Sequence, residues 1–220
     1  MSAPLIVLAT HNQGKIAELR ALLAAAMPEL DVDTAVVDAA QAGAPDVVED
    51  GLTFEANALK KARAVAQHTG LIAVADDSGL AVDALHGAPG IFSARWAGRH
   101  GDDTANLTLL LAQLADVPAE HRGAGFVCAA ALAVPAQHGV PGTTVSHEHV
   151  EFGQLRGHLA TEPIGDGGFG YDPILVPEGL QVSAAQLRPE EKNAISHRGQ
   201  ALRALLPHLV EALRGLPGSP

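Results

Sequence analysis

Cysteine is almost absent from this 220-residue chain: Cys128 stands alone, inside the apolar run Gly125-Phe126-Val127-Cys128-Ala129-Ala130-Ala131-Leu132. One thiol excludes a disulfide framework and a cysteine-based metal site, and its apolar surroundings read as those of a buried, inert side chain. Positive charge is scarce too. Fourteen Lys and Arg face 25 Asp and Glu, for a net charge of −11 and a pI near 5.3, with no long basic run. Such a field repels nucleic-acid polymers and anionic membranes, so neither is expected as a partner. Nowhere do about eighteen apolar residues run unbroken, and no basic segment precedes the short apolar stretch at the N-terminus. Neither membrane spanning nor export is therefore expected, and the expected location is the cytoplasm. What the chain does have is 47% hydrophobic content, enough for a sizeable core in one large domain or two small lobes.

The first chemical signal is Thr10-His11-Asn12-Gln13-Gly14-Lys15, which joins the strand-like Leu5-Ile6-Val7-Leu8-Ala9 to a helix-like segment with Ile16, Leu19, Leu22 and Leu23 at helical spacing. A Gly-containing turn at a strand's carboxyl end lets backbone N–H groups and a helix N-terminus face an anion, and Lys15 adds full positive charge. A standard P-loop is disfavoured, because its first Gly is missing and Ile16 stands where its metal-binding hydroxyl belongs. Taken alone, the hexapeptide equally fits an ordinary strand–turn–helix connection. Met27-Pro28 closes that first helix. A second amphipathic helix carries Phe54, Ala58, Ala62, Val65 and Ala66, with Thr53 as its expected cap and an end near Gly70. Asn57 and Lys61 share one flank of it, beside the buried stripe, where they either reach into a cleft or belong to a solvated face with Lys60.

Leu71-Ile72-Ala73-Val74-Ala75 reads as a buried strand that gives way to Asp76-Asp77-Ser78-Gly79. These are ordinary turn residues. Yet two adjacent carboxylates at the end of an apolar strand are costly to hold together without a cation or a shared proton, and Mg²⁺ suits carboxylate oxygens that also face phosphates. Glu49-Asp50-Gly51 offers further carboxylates upstream. A helix through Leu107, Leu110, Leu111 and Leu114 and a strand from Gly125 to Val134 look structural, and Pro135 to Thr144 reads as a loop. Val145, His147, His149 and Glu151 then alternate as on a β ribbon; His147 and His149 share a face that zinc would suit, but no third ligand is evident. They are read as a solvated strand face, and no metal is assigned. The glycine-dense Gly165-Asp166-Gly167-Gly168-Phe169-Gly170-Tyr171-Asp172-Pro173 is either a structural turn or a loop that lays backbone beside a ligand while a ring stacks on a base. Lys192, His197 and Arg198 gather donors near the start of a last helix of Leu202, Leu205, Leu206, Leu209 and Leu213, which Pro207 is expected to kink or divide. The tail 215–220 is expected to fray.

Together these blocks resemble one family, the Ham1-type inosine/xanthosine triphosphate pyrophosphatases. The matching segments, in family order, are Ala9 to Lys15, Glu49 to Phe54 with Asn57 and Lys61, Ala75 to Leu80, Gly167 to Pro173 and Ser196 to Gly199; Gly87 to Arg95 also looks like family sequence. The resemblance runs from about residue 5 to about residue 213. It implies an elongated α/β fold, a single domain over 1–220 whose mixed β-sheet and flanking helices form two lobes with the active cleft between them, and a homodimer. The residue pattern by itself supports only the α/β class.

The implied reaction is Mg²⁺-dependent hydrolysis of deaminated purine nucleoside triphosphates to the monophosphate and pyrophosphate, water attacking the α-phosphorus. Carried over by the resemblance, Thr10, His11, Asn12, Gln13, Gly14, Lys15 and Lys61 grip the triphosphate. Glu49 and Asp77 hold Mg²⁺, Asp77 is also the general base, and Asp76 and Asn57 support them. Ser78, Phe169, Gly170, Tyr171, Asp172, Lys192, His197 and Arg198 bind substrate. Hypoxanthine and xanthine present a 6-oxo acceptor where adenine presents an amino donor, so donors there would select the base, and His197 and Arg198 are the expected ones. The related Maf-type pyrophosphatases favour other bases, and the blocks around Phe169 and Ser196 argue against them. A non-catalytic nucleotide-binding module would have no need of Asp76, Asp77, Glu49 and Lys15 as a set.

Overall fold

The computed structural model describes residues 4–10 and 12–216. Six strands, β1 (Ile6–Leu8), β2 (Val36–Asp38), β3 (Ile72–Val82), β4 (Gly123–Pro135), β5 (Val145–Leu159) and β6 (Leu175–Pro177), make one sheet in the order β2-β1-β3-β4-β5-β6. β1 pairs in parallel with both β2 and β3, while β5 and β6 are antiparallel, so the sheet is mixed. The helices are α1 (Gln13–Ala26), α2 (Val32–Ala35), α3 (Phe54–Thr69), α4 (Asp103–Gln113), α5 (Pro189–Ile195) and α6 (His197–Arg214). Parallel neighbours need crossovers, which α1 and α3 provide on either side of β2 in the chain. None of the helices described is long and apolar enough to cross a membrane.

The chain forms two compact units: one comprises the residues up to Asp77, Ala129–Phe152 and the segment from Ala201, the other Ser78–Cys128 and Gly153–Gln200. The first unit's core is built from small residues. Ala58, Ala62, Val65 and Ala66 of α3 pack with Ala73 and Ala75 of β3 and Ala129, Ala131 and Ala133 of β4. The helix residues follow a 3.6-residue period and the strand residues a period of two, so both patterns present one face. Side chains of one methyl group let helix and sheet backbones approach closely, and this brings α3 polar groups within reach of β3. The second unit has a bulkier core, with Leu80 and Val82 of β3, Leu107, Leu110 and Leu114 of α4, Leu155 and Leu159 of β5, and Tyr171, Ile174 and Leu175.

Two expectations are corrected. β3 does not end at Ala75; it runs on through Asp76-Asp77-Ser78-Gly79 to Val82. Gly79 sits in the strand for a close approach: a Cβ there would lie 2.5 Å from Gly90 O and 2.5 Å from Ser93 Oγ. Nor does Pro207 divide the last helix. α6 continues through it, lacking one N–H, while Ala201, Leu202, Leu205, Leu209 and Leu213 stay buried along one stripe. Gly215 and Leu216 follow α6, and the rest of the tail lies outside the described residues. The expected cap holds, since Thr53 Oγ1 accepts from Ala56 N at 3.1 Å.

Gly70 ends α3 in the left-handed region at φ +68°, and its carbonyl accepts from Gly139 N at 2.7 Å, so the 136–144 connection lies across it. A Cβ at Gly70 would lie 2.5–2.7 Å from Val140 backbone atoms. Gly70→Ala is expected to lower stability by about 1–2 kcal/mol from backbone conformation alone, and by more once the connection is pushed away. Urea unfolding measures this, and an unchanged midpoint would show that the close approach costs nothing to lose.

Candidate active site

Within the first unit, carboxylates of β3 and of the segment before α3 meet two lysines. Successive side chains of a strand point to opposite faces, and Asp76 and Asp77 have different partners accordingly. Asp76 is buried, and Lys15 Nζ of α1 lies 2.8 Å from each of its carboxylate oxygens. Asp77 shares the parity of Ala73 and Ala75, which face α3, and its Oδ2 accepts from Asn57 Nδ2 at 2.9 Å. Asn57 is 1% exposed and also accepts from Gly51 N at 2.7 Å, which fastens the Glu49-Asp50-Gly51 segment to α3.

One turn along α3, Lys61 Nζ donates to Glu49 Oε1 and to the Asp76 carbonyl, both at 2.6 Å, and lies 4.0 Å from Asp77 Oδ1. A single ammonium therefore sits against both Glu49 and Asp77. Lys60 points away to Asp50, at 2.5 Å, so only one of the two adjacent lysines joins the cluster. From sequence, Asp76 and Asp77 are adjacent carboxylates whose repulsion a cation or a shared proton would offset; the strand pleat turns them to opposite faces, where Lys15 pairs with Asp76 and Asn57 with Asp77.

The loop before α1 is folded on itself. Asn12 caps α1, its Oδ1 accepting from Gly14 N at 2.9 Å and Lys15 N at 3.3 Å, and its own N–H donates to Thr10 Oγ1 at 3.2 Å. The Asn12 side-chain oxygen Oδ1 occupies the place where an anion would meet those two N–H groups. Gln13 is turned toward the sheet, with Nε2 donating to Asp38 Oδ2 at 3.1 Å. His11 lies outside the described residues.

The second unit holds the other predicted site residues. Of the two aromatics in the glycine-dense loop only Phe169 is presented to solvent, at 64% exposure, while Tyr171 is 4% exposed within the core, its hydroxyl donating to Ser93 O at 2.9 Å. Burial, with Asp103 as a lesser influence, pushes the Tyr171 phenol well above its ordinary pKa, so it stays a neutral donor. Asp172 organises the loop: it is buried, accepts from Phe169 N at 2.8 Å and pairs with Lys192 of α5. The Lys192 ammonium also lies 5.0 Å from the Phe169 ring centroid, within cation–π range. Gly170 N donates to Asp103 Oδ2 at 2.8 Å, an anchor the sequence reading does not single out. His197 opens α6 with its ring stacked on Phe126, centroids 5.1 Å apart, and Arg198 follows it. Ser78 follows Asp77 within β3.

Comparison with known proteins gives a consistent result. The model of the Ham1 family matches residues 6–208. A Streptomyces coelicolor protein named dITP/XTP pyrophosphatase is 61% identical over 209 residues, covering 94% of this chain and 98% of its own length. Among solved structures, a HAM1 protein from Coxiella burnetii superposes with a TM-score of 0.80 at 40% identity, covering 94% of this chain and 99% of its own. A nucleoside-triphosphatase, or dITP/XTP pyrophosphatase, from Mycobacterium abscessus gives a TM-score of 0.72 at 51% identity, covering 92% and 98%.

Asn57 joins three elements of the first-unit cluster, so its truncation has a defined cost. Asn57→Ala removes the side-chain acceptor of the Gly51 N–H and one hydrogen-bond donor to the Asp77 carboxylate, and is expected to lower stability by about 1–3 kcal/mol. Denaturant unfolding checks this, and a loss of a few tenths or less would mean that water replaces the amide freely.

Proposed function

The chain belongs to the Ham1 family, and on that footing we propose that it hydrolyses the deaminated purine nucleoside triphosphates ITP, dITP and XTP to the monophosphate and pyrophosphate. The observation that carries the reading is Lys61 set between Glu49 and Asp77, beside the Lys15–Asp76 pair. Phosphoryl transfer asks mainly for positioning and charge neutralisation, and this cluster supplies lysines and hard oxygen donors at one place.

The family's chemistry calls for a divalent metal, and Glu49 and Asp77 fit Mg²⁺: both are carboxylates, and one ammonium already lies 2.6 Å from the first and 4.0 Å from the second. When bound there, Mg²⁺ neutralises phosphate charge and lowers the pKa of water in its shell. Asp77 orients the attacking water and takes its proton, held in place by Asn57. The water oxygen bonds to the α-phosphorus, the α–β bridging bond breaks, and pyrophosphate leaves. Asp76 orients Lys15 through two of the ammonium's three N–H groups, which leaves one for phosphate. Thr10, His11, Asn12, Gln13 and Gly14 complete the phosphate grip, with the amides now capped by Asn12 turning to the anion.

Phe169 offers its face to the base, steadied by Lys192 and Asp172, while Gly170, Tyr171 and Ser78 shape that subsite. His197 and Arg198 donate to the 6-oxo group, which rejects adenine because its amino group cannot accept. The protein works in the cytoplasm as a homodimer, and clearing these nucleotides keeps them out of DNA and RNA.

With Mg²⁺ present, ITP is expected to give IMP and pyrophosphate in one step, and EDTA to abolish turnover reversibly. Asp77→Asn should remove most turnover from a protein that still folds. Product analysis decides it: IDP and orthophosphate as first products would place the attack at the terminal phosphate, and near-wild-type kcat in Asp77→Asn would remove its assigned role. For the base, Arg198→Ala should lower kcat/KM for ITP by about 1–3 kcal/mol, the scale of a hydrogen bond from a charged donor, and change ATP turnover far less. An equal fall for both nucleotides would assign Arg198 to phosphate or to structure.

A further inference from the structure

Away from the residues assigned to the nucleotide, the first unit brings together three metal-ligating side chains that the proposed reaction does not use. His149 and Glu151 are two residues apart on β5 and so project from one face. His208, from the C-terminal half of α6, joins them. Glu151 Oε1 lies 3.3 Å from His149 Nε2 and 3.6 Å from His208 Nε2, and the three ligand atoms all lie within 4.8 Å of one another. The two imidazoles pack face to face, centroids 3.3 Å apart and planes inclined by 26°. The side chains are about one-third exposed, and His149 and His208 line a cavity of about 1280 Å³ that Glu211, one turn along α6, also lines. Among the described residues this is the one group of three or more His, Cys, Asp or Glu gathered in this way. The pair His147 and His149 on its own has no third ligand; Glu151, in register on the strand, and His208, 57 to 59 positions away in sequence, supply what local spacing cannot show.

We propose that His149, Glu151 and His208 form a second metal site, distinct in chemistry from the Mg²⁺ site, that takes a zinc-like transition-metal dication. Zinc bound at about 2.0–2.1 Å in tetrahedral geometry spaces its ligand atoms about 3.3–3.5 Å apart, and both separations from Glu151 lie at or near that edge length. Two imidazoles and one carboxylate are a donor set that zinc uses with a fourth position open. The same set disfavours Mg²⁺, which selects oxygen, and so separates this site from Glu49 and Asp77. Binding requires the rings to fan apart from their face-to-face contact around nitrogens that are already close. The bound ion ties β5 to α6 within the first unit, so its binding energy adds to the stability of the folded state.

The test uses the full chain, stripped with EDTA and kept in excess Mg²⁺ so that the oxygen-only site is occupied. Zn²⁺ titrated calorimetrically should bind once per chain and raise the Tm, and Co²⁺ in its place should give the intense visible bands of tetrahedral coordination. His208→Ala and, on the exposed strand face, His149→Gln should each weaken Zn²⁺ binding at least tenfold and abolish the Tm rise and the cobalt bands. Both should retain ITP turnover with Mg²⁺, which reports that the variants fold. Asp77→Asn should leave Zn²⁺ stoichiometry intact even if the proposed hydrolysis fails, so the two readings fall separately. Zn²⁺ affinity unchanged in either histidine variant, absence of tetrahedral cobalt bands, or loss of the zinc equivalent in Asp77→Asn would each overturn the site.

Discussion

Asp76 and Asp77 are covalent neighbours in an extended strand, and the pleat of β3 sends their carboxylates to opposite faces of the sheet. On one face Lys15 of α1 closes on Asp76; on the other, Asn57 of α3 holds Asp77. Everything else in the first-unit cluster is arranged around that division. Had the strand turned at Asp76, both carboxylates would have competed for one partner, and repulsion would have favoured protonating one of them. Continuing the strand gives each charge its own neighbour, and it leaves the Asp76 carbonyl facing the α3 side, where Lys61 donates to it at 2.6 Å.

That geometry depends in turn on how close α3 lies to the sheet. An interface of Ala58, Ala62 and Ala66 against Ala73, Ala75, Ala129, Ala131 and Ala133 buries little area per residue but lets the backbones approach, so a side chain as short as Asn57 spans from helix to strand. Larger residues would strengthen the hydrophobic contact and lengthen that reach. The second unit has no comparable requirement at its core. There Leu107, Leu110 and Leu114 pack with Leu155, Leu159 and Tyr171, and the loop residues that reach solvent are fixed by a polar clasp around Asp172.

Much of this is legible in the chain. The apolar pattern locates α1, α3, α4 and β4, the alternation from Val145 to Glu151 marks the first half of β5, Thr53 and Gly70 mark the two ends of α3, and the spacing of Asn57 and Lys61 puts them on one flank beside the buried stripe. Of the blocks that carry the family resemblance, those around Lys15, Glu49 to Lys61 and Asp76-Asp77 supply the first-unit cluster. What local pattern hides is tertiary. Asp-Asp-Ser-Gly has turn chemistry, and only the backbone of the segment around Gly90 and Ser93, pressed against Gly79, shows why glycine sits within a strand. Phe169 and Tyr171 look alike as loop aromatics, yet one faces solvent and the other lies in the core, a difference set by Ser93 and the leucines of α4. Pro207 fails to break α6 because the buried stripe on both sides outweighs one missing hydrogen bond.

The charge balance of the first-unit cluster bears on the order in which ligands bind. Glu49, Asp76 and Asp77 stand against Lys15 and Lys61, so the group carries one net negative charge while its lysines are engaged with its own carboxylates. A triphosphate approaching alone meets no net attraction, and recruiting Lys61 takes that ammonium from Glu49, where removing a partner is costly. A dication held by Glu49 and Asp77, as proposed, would reverse the sign of the cluster and release Lys61 toward phosphate. On the proposed reading, metal and nucleotide would favour each other's binding through Lys61, a reciprocal coupling in which neither ligand gains its full affinity without the other.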